Sequence, residues 1–247
     1  MIFTIGQPTN LNLMAFNLAI FKTRALTAIV FAAVMLIGLL GNGWTFTTLF
    51  IVIHFGCSYE FIKIIKNIHQ GRYGYFLPLG LIYITLPILM MLMLGYPNSE
   101  KYFYQKSYEE AWLYSNIFPC GVIFSIWIND TMAYIIGSLI GRTPLSSISP
   151  KKTWEGTIGG AVLCIGVIAI IGWWSNLLSV RHSIAIAAIC AVFGTLGDLL
   201  ESKLKRMANL KDSGSLMPGH GGFLDRFDSL LIATPFVWLY VYFFIWE

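Results

Sequence analysis

The sequence predicts an all-α fold, a polytopic integral membrane bundle of about seven transmembrane helices with two polar loops on its cytoplasmic side. Three observations carry this. Hydrophobic residues make up 57% of the 247-residue chain and charged residues only 11%, whereas soluble domains are usually about 45–50% apolar. Runs free of Asp, Glu, Lys and Arg cover residues 25–59, 73–99, 111–129, 156–180 and 229–246. Each can cross roughly 30 Å of hydrocarbon as helix, and the first can cross twice. The third observation is the placement of the basic residues along these runs.

The elements follow in chain order. Residues 1–21 have no basic leader, and Asn10, Asn12 and Asn17 interrupt their apolar part. An interfacial helix is expected there rather than a cleaved signal peptide. Gly41, Asn42 and Gly43 break the first long run into spans at 25–41 and 44–59, because such a cluster marks a turn. A basic loop from Lys63 to Arg72 leads to a span at 75–95, and a mixed-charge loop at 98–110 leads to one at 111–130. Spans at 157–175, 183–200 and 226–246 complete the seven, the sixth being short enough to continue as helix beyond the bilayer.

With the N-terminus in the cytoplasm, seven spans place 13 of the 16 Lys and Arg residues inside and leave Lys101, Lys106 and Arg181 outside. An additional crossing at 131–141 would leave only six inside, so the positive-inside rule favours seven. The protein is thus expected in an inner or plasma membrane, with its polar loops facing the cytoplasm. These charges border spans instead of forming one basic face, which argues against nucleic-acid binding. Cys57, Cys120, Cys164 and Cys190 lie in or near apolar runs without CxxC spacing, so neither a zinc site nor a disulfide framework is expected. No linker or repeat divides the chain. It is read as one domain, 1–247, with its chemistry in about 125–230. His54 and Glu60, the ionisable residues near a span in the N-terminal half, are read as packing or interfacial.

The chemistry concentrates in two segments. In 198–228, continuation of the sixth helix would put Asp198, Glu201, Ser202 and Lys205 on one face at i, i+3, i+4 and i+7. An ordinary solvated helix end with an internal ion pair would look the same. Beyond it, Gly214, Pro218, Gly219, Gly221 and Gly222 surround His220, a composition that lets backbone N–H groups approach a phosphate, with His220 as a donor or acid. Asp225 and Asp228 follow at i and i+3 at the start of the last span. Paired carboxylates beside phosphate-binding cations suit Mg²⁺. In 127–160, Asn129 and Asp130 are expected to end a span, while Ser149, Lys151, Lys152 and Thr153 precede the next helix. For the two lysines, anchoring at the membrane surface and phosphate binding stand as equal readings.

The pattern SKLKRMANLKDSGSLMPGHGGFLDRFD at 202–228 closely resembles the signature of the CDP-diacylglycerol synthase (phosphatidate cytidylyltransferase) family, and 129–160 resembles that family's second shared region. Met217 stands where the family more often has Leu, Ile or Phe. The resemblance implies a Mg²⁺-dependent nucleotidyltransferase that joins CTP and phosphatidic acid into CDP-diacylglycerol and pyrophosphate for phospholipid synthesis. It assigns Asp198, Asp225 and Asp228 to the metal, with K⁺ admitted nearby. Lys205, Arg206, Lys211 and Arg226 would neutralise phosphates and His220 would donate a hydrogen bond. Lys151, Lys152 and Thr153 would close over substrate, with Asn129, Asp130, Ser149, Ser202, Asp212, Gly221 and Gly222 completing its binding site. A homodimer is admitted as a partner state. The non-enzyme rival is an ion-coupled transporter, which predicts acids deep within spans, whereas here the acids are expected at span ends.

Overall fold

A computed structural model of the chain describes residues 18–97, 114–214 and 221–246, with side chains from residue 25 onward. Among the described residues there are seven long helices: α1 Leu18–Leu40, α2 Gly43–His69, α3 Pro78–Gly95, α4 Ile117–Ile140, α5 Trp154–Ser175, α6 Val180–Met207 and α7 Leu224–Trp246. This is the expected all-α membrane bundle. The N-terminal segment to residue 17, the 98–110 loop and His220 lie outside the described residues.

Local chemistry sets the helix ends. Asn42 Oδ1 accepts from the Trp44 and Thr45 N–H groups, and Thr45 Oγ1 accepts from the Asn42 N–H. This reciprocal cap stops α1 and starts α2 where the Gly-Asn-Gly break predicts a hairpin. Thr153 caps α5 through the Gly156 N–H, and Asn176 ends it in the left-handed conformation. Residues Leu81–Thr85 of α3 are π-helical, just before Pro87, whose missing N–H disturbs the regular ladder. His54 Nε2 meets Thr85 Oγ1 at 3.0 Å across α2 and α3, the packing role expected of it.

Two backbone-to-backbone crossings position everything that matters. Gly156 and Gly160 of α5 lie against Ala133 and Gly137 of α4, with no room for a Cβ at either glycine of α5. Small residues are how membrane helices approach this closely. In the second crossing, Gly197 of α6 lies on the Asp228 carbonyl of α7, with Gly194 facing Ser229. Helix α7 runs through the centre, touching α2, α3, α4 and α6, while α5 flanks α4 and α6. Phe46, Phe50, Ile64, Met91, Val122, Leu231 and Val237 are among its main buried core. The outward apolar side chains, such as Ile29, Val162 and Ile170, match lipid as solvent.

One boundary differs from expectation. The fourth span was expected at 111–130, yet α4 is continuous from Ile117 to Ile140, so Asn129 and Asp130 sit near the helix middle instead of at its end. Hydropathy reads a polar pair as a boundary. Here the bundle shelters it: Asn129 is buried, Asp130 opens onto a cavity, and the neighbouring Thr131 hydroxyl is satisfied by the Trp127 carbonyl. The acids therefore do not all lie at span ends, and their position does not separate this bundle from an ion-coupled transporter.

Candidate active site

Helix α6 does continue past the apolar stretch to Met207, and its predicted polar face forms. Ser202 Oγ donates to Asp198 Oδ1 at 3.2 Å. One turn on, Lys205 Nζ lies 2.5 Å from Glu201 Oε2 and 2.5 Å from Asp225 Oδ1 on α7. Glu201 is fully buried and forms an ion pair with Lys205. Lys205 is thus a cross-helix clamp between two carboxylates.

The 141–153 loop folds back on itself. Leu145 N–H donates to the Lys152 carbonyl, Trp154 N–H to the Thr143 carbonyl and Lys152 N–H to the Ser149 carbonyl. Glu155 fastens the other strand of the loop by accepting from the Arg142 and Thr143 N–H groups and the Thr143 hydroxyl. Folded this way, the loop carries Ser149, Lys151, Lys152 and Thr153 back over the bundle, and the Lys152 ammonium pairs with Asp198 Oδ2. One segment predicted to be polar thereby touches the other.

Between them lies a cavity of about 550 Å³, within the range of small-molecule sites. Ten sequence-predicted residues line it: Asn129, Asp130, Ser149, Lys151, Lys152, Thr153, Asp198, Asp225, Arg226 and Asp228. Four carboxylates from three helices, Asp130, Asp198, Asp225 and Asp228, share it with Lys151 and Lys152 of the 141–153 loop and Arg226 of α7. Asp228 is 8% exposed, and its Oδ1 accepts from the Ser229 N–H at 2.6 Å. Asn129 Oδ1 is buried without a hydrogen-bond partner among the described residues. One wall is apolar and aromatic, made by Phe31, Ile126 and Trp127.

Other predicted residues stand elsewhere. Arg206 is exposed and donates to the Leu210 carbonyl at 3.1 Å, closing the C-terminal end of α6. Lys211 and Asp212 are exposed and do not line the cavity. Gly221 and Gly222 form the approach to α7, where Gly221 has φ +82°, a backbone state that disfavours side chains. The Gly222 N–H donates to Asp225 Oδ2 at 2.8 Å. Ser213 N–H and Oγ–H reach the same oxygen at 2.9 Å each. The Gly222 amide is therefore turned toward a protein carboxylate, and both oxygens of Asp225 are engaged. Among the described residues, no three His, Cys, Asp or Glu side chains are grouped as ligands around one point.

Glu60, expected only to pack or to lie at the interface, instead holds the loop at the start of α7. It is 4% exposed and accepts from the Phe223 and Leu224 N–H groups at 3.0 and 2.9 Å and from Ser213 Oγ at 2.6 Å. The available signal was one acid at the end of a long apolar run, a residue type that is rarely buried unless partnered.

The sequence pattern of the Cytidylyltransferase family matches residues 102–244, more than half of the chain and all of the cavity except Phe31. A phosphatidate cytidylyltransferase of Synechocystis sp. is 41% identical over 144 residues, which are 54% of this chain and 48% of the relative. The Bacillus subtilis phosphatidate cytidylyltransferase is 44% identical over 115 residues, 46% of this chain and 43% of the relative. The chloroplastic phosphatidate cytidylyltransferase 5 of Arabidopsis thaliana is 45% identical over 126 residues, 49% of this chain and 30% of the relative. The chain spans less than half the length of each of these relatives. With the matched region enclosing both polar loops and the helices that hold them, the chain belongs to the cytidylyltransferase family.

Proposed function

We propose that this protein is a phosphatidate cytidylyltransferase, joining CTP and phosphatidic acid into CDP-diacylglycerol with release of pyrophosphate, with its cavity on the cytoplasmic side. The observation that carries the reading is the single cavity in which Asp130, Asp198 and Asp228 face Lys151, Lys152 and Arg226 beside an aromatic wall. Two polyanions must meet there, and mixed charge with an apolar flank suits a phosphate headgroup that stays attached to its acyl chains. The names of the relatives and the family match support the same chemistry.

In the proposed reaction, a phosphate oxygen of phosphatidic acid attacks the α-phosphorus of CTP while the bond to the departing pyrophosphate breaks. The nucleophile is already an anion at neutral pH, so no strong base is required. Catalysis then rests on alignment and on neutralising charge. Lys151, Lys152 and Arg226 would hold phosphate oxygens, and Lys152 would leave Asp198 to do so. Trp127 and Phe31 would flank the lipid.

Mg²⁺ fits this site by donor chemistry, since Asp198, Asp228 and the unpartnered Asn129 Oδ1 are hard oxygen donors around one cavity. Asp198 and Asp228 would hold it. Asp225, engaged by Lys205, Ser213 and Gly222, serves the loop instead of completing a three-aspartate set. When bound, the ion would offset the charge developing on pyrophosphate.

The full-length chain, purified in detergent with phosphatidic acid, should incorporate radiolabelled CTP into lipid only when a divalent ion is supplied. Asp228→Asn should abolish incorporation while the helical circular-dichroism signal persists. Normal incorporation by that variant would exclude Asp228 from the metal site, and no incorporation by the wild type would remove the proposed activity.

A further inference from the structure

Helix α2 lies outside the segments that carry the chemistry and contributes no cavity residue, yet one of its side chains reaches the loop that does. Glu60 Oε1 accepts from the Phe223 N–H at 3.0 Å, and Oε2 accepts from the Leu224 N–H at 2.9 Å and from Ser213 Oγ at 2.6 Å. Two of these donors are amides at the very start of α7, where helix N–H groups have no partner within the helix and where a carboxylate is favoured by the helix dipole. Gly214 and Gly222 press on the same carboxylate so closely that a Cβ at either would collide with its oxygens. Both described ends of the loop, Ser213–Gly214 and Gly222–Leu224, close on Glu60.

The connection runs on into the site. Ser213 Oγ lies 2.9 Å from Asp225 Oδ2 as well as 2.6 Å from Glu60 Oε2. A hydroxyl has one proton, so it serves one carboxylate at a time, and Asp225 keeps the Ser213 and Gly222 amides and Lys205 as its own donors. Asp225, Arg226 and Asp228 all follow within five residues of Phe223, so whatever sets the first turn of α7 sets where they point. Packing alone does not require a carboxylate here. Phe46, Phe50, Ile53 and Ile64 already give α2 an apolar face in the main core, and burying an acid costs free energy unless its bonds are made. Among the described residues, the Glu60 carboxylate takes its hydrogen bonds from Ser213, Phe223 and Leu224.

We propose that Glu60 is a positioning residue: from α2 it ties Ser213 to Phe223 and Leu224 and so fixes the start of α7, and through it the placement of Arg226 and Asp228 in the cavity. The proposal deepens the cytidylyltransferase reading and rests on it for its kinetic consequence, but its structural consequence stands independently.

The experiment uses the full chain in lipid nanodiscs, with Glu60→Gln, Ser213→Ala, the double variant, and His54→Gln as a control that breaks a different α2 contact. Hydrogen exchange at Phe223 and Leu224 should accelerate roughly tenfold in Glu60→Gln, the factor lost with one amide hydrogen bond. Exchange elsewhere in the bundle, and at these amides in His54→Gln, should stay as in the wild type. In CTP-incorporation assays, kcat should fall roughly 10- to 100-fold for a misplaced site while KM for CTP changes less than about threefold. The double variant should be no worse than Glu60→Gln alone, because both remove one connection. Wild-type exchange at Phe223 and Leu224 in Glu60→Gln overturns the proposal, and so does a lower yield of folded protein with normal kcat per folded molecule. Should the wild type incorporate no CTP at all, the activity reading fails and the exchange measurement alone decides the role of Glu60.

Discussion

Lys205 shows how one side chain can do a different job from the one its position suggests. Its ammonium lies between Glu201 and Asp225, so it holds α6 and α7 together rather than reaching into the cavity for phosphate. Removing one partner of a buried pair leaves the other uncompensated, at a cost of about 3–5 kcal/mol. Lys205→Met should therefore lower the thermal unfolding midpoint in detergent, and adding Glu201→Gln should restore part of the loss, because Glu201 is the fully buried partner and Lys205 is the cation paired with it. Asp225 keeps the Ser213 and Gly222 amides as donors and should matter less to that recovery. Lys152 is the contrasting case. It lines the cavity and is paired with Asp198 only across the loop. Lys152→Ala should raise KM for CTP roughly tenfold or more, as expected for one charge-assisted hydrogen bond, without shifting the unfolding midpoint comparably. An unchanged KM would remove Lys152 from the phosphate contacts.

At the scale of elements, two crossings of small residues build the site. Gly197 lies on backbone of α7, so Gly197→Val forces the helices apart where Asp198 and Asp228 face each other. Overpacking of this kind costs on the order of 1–3 kcal/mol, and CTP incorporation should fall further than stability does. Gly166 of α5 has nothing near it that a side chain would meet. Gly166→Leu should leave both melting and incorporation intact, and a loss there would mean that this face of α5 meets a partner instead of lipid. Thr153 belongs to the same scale. It caps α5 through the Gly156 N–H, so Thr153→Ala should cost about 1 kcal/mol and loosen the loop that carries Lys151 and Lys152, read as faster proteolysis between residues 142 and 152.

For the whole molecule, the arrangement makes a topological statement. Among the described residues six helices, α2 to α7, are long and apolar enough to cross a membrane, and α1 adds a shorter apolar helix at Ala25–Leu40; with all seven crossing, the 141–153 loop and the end of α6 would share one side and the α5–α6 turn would lie on the other. Single cysteines at Ser147 and Lys211, both exposed, should react with an impermeant thiol reagent only after the cytoplasmic face is opened. Leu177, 63% exposed in the opposite turn, should react from outside as Leu177→Cys. External labelling at 147 or 211 would break the proposed orientation. Of the four native cysteines, Cys57, Cys164 and Cys190 are buried, so only Cys120 needs replacing for a clean background.

Much of this was legible in the chain itself. Lipid offers no hydrogen-bond partners, so long apolar runs had to be helices, and charges set among them had to be partnered or functional; both are local properties of composition and spacing. That reasoning found the hairpin at Asn42, the polar face of α6 and ten residues of one cavity. Tertiary structure alone decided the rest. Asn129 and Asp130 lie mid-helix because α5 and α6 shelter them, which no window along α4 can register. Asp225 faces Lys205 and Arg206 faces the end of its own helix, because helix crossings and turns choose partners among several cations of equal promise. Glu60 meets Ser213 and Leu224 across 153 and 164 residues of chain, a contact set by where α2 passes α7, and sequence patterning holds no term for a meeting at that distance.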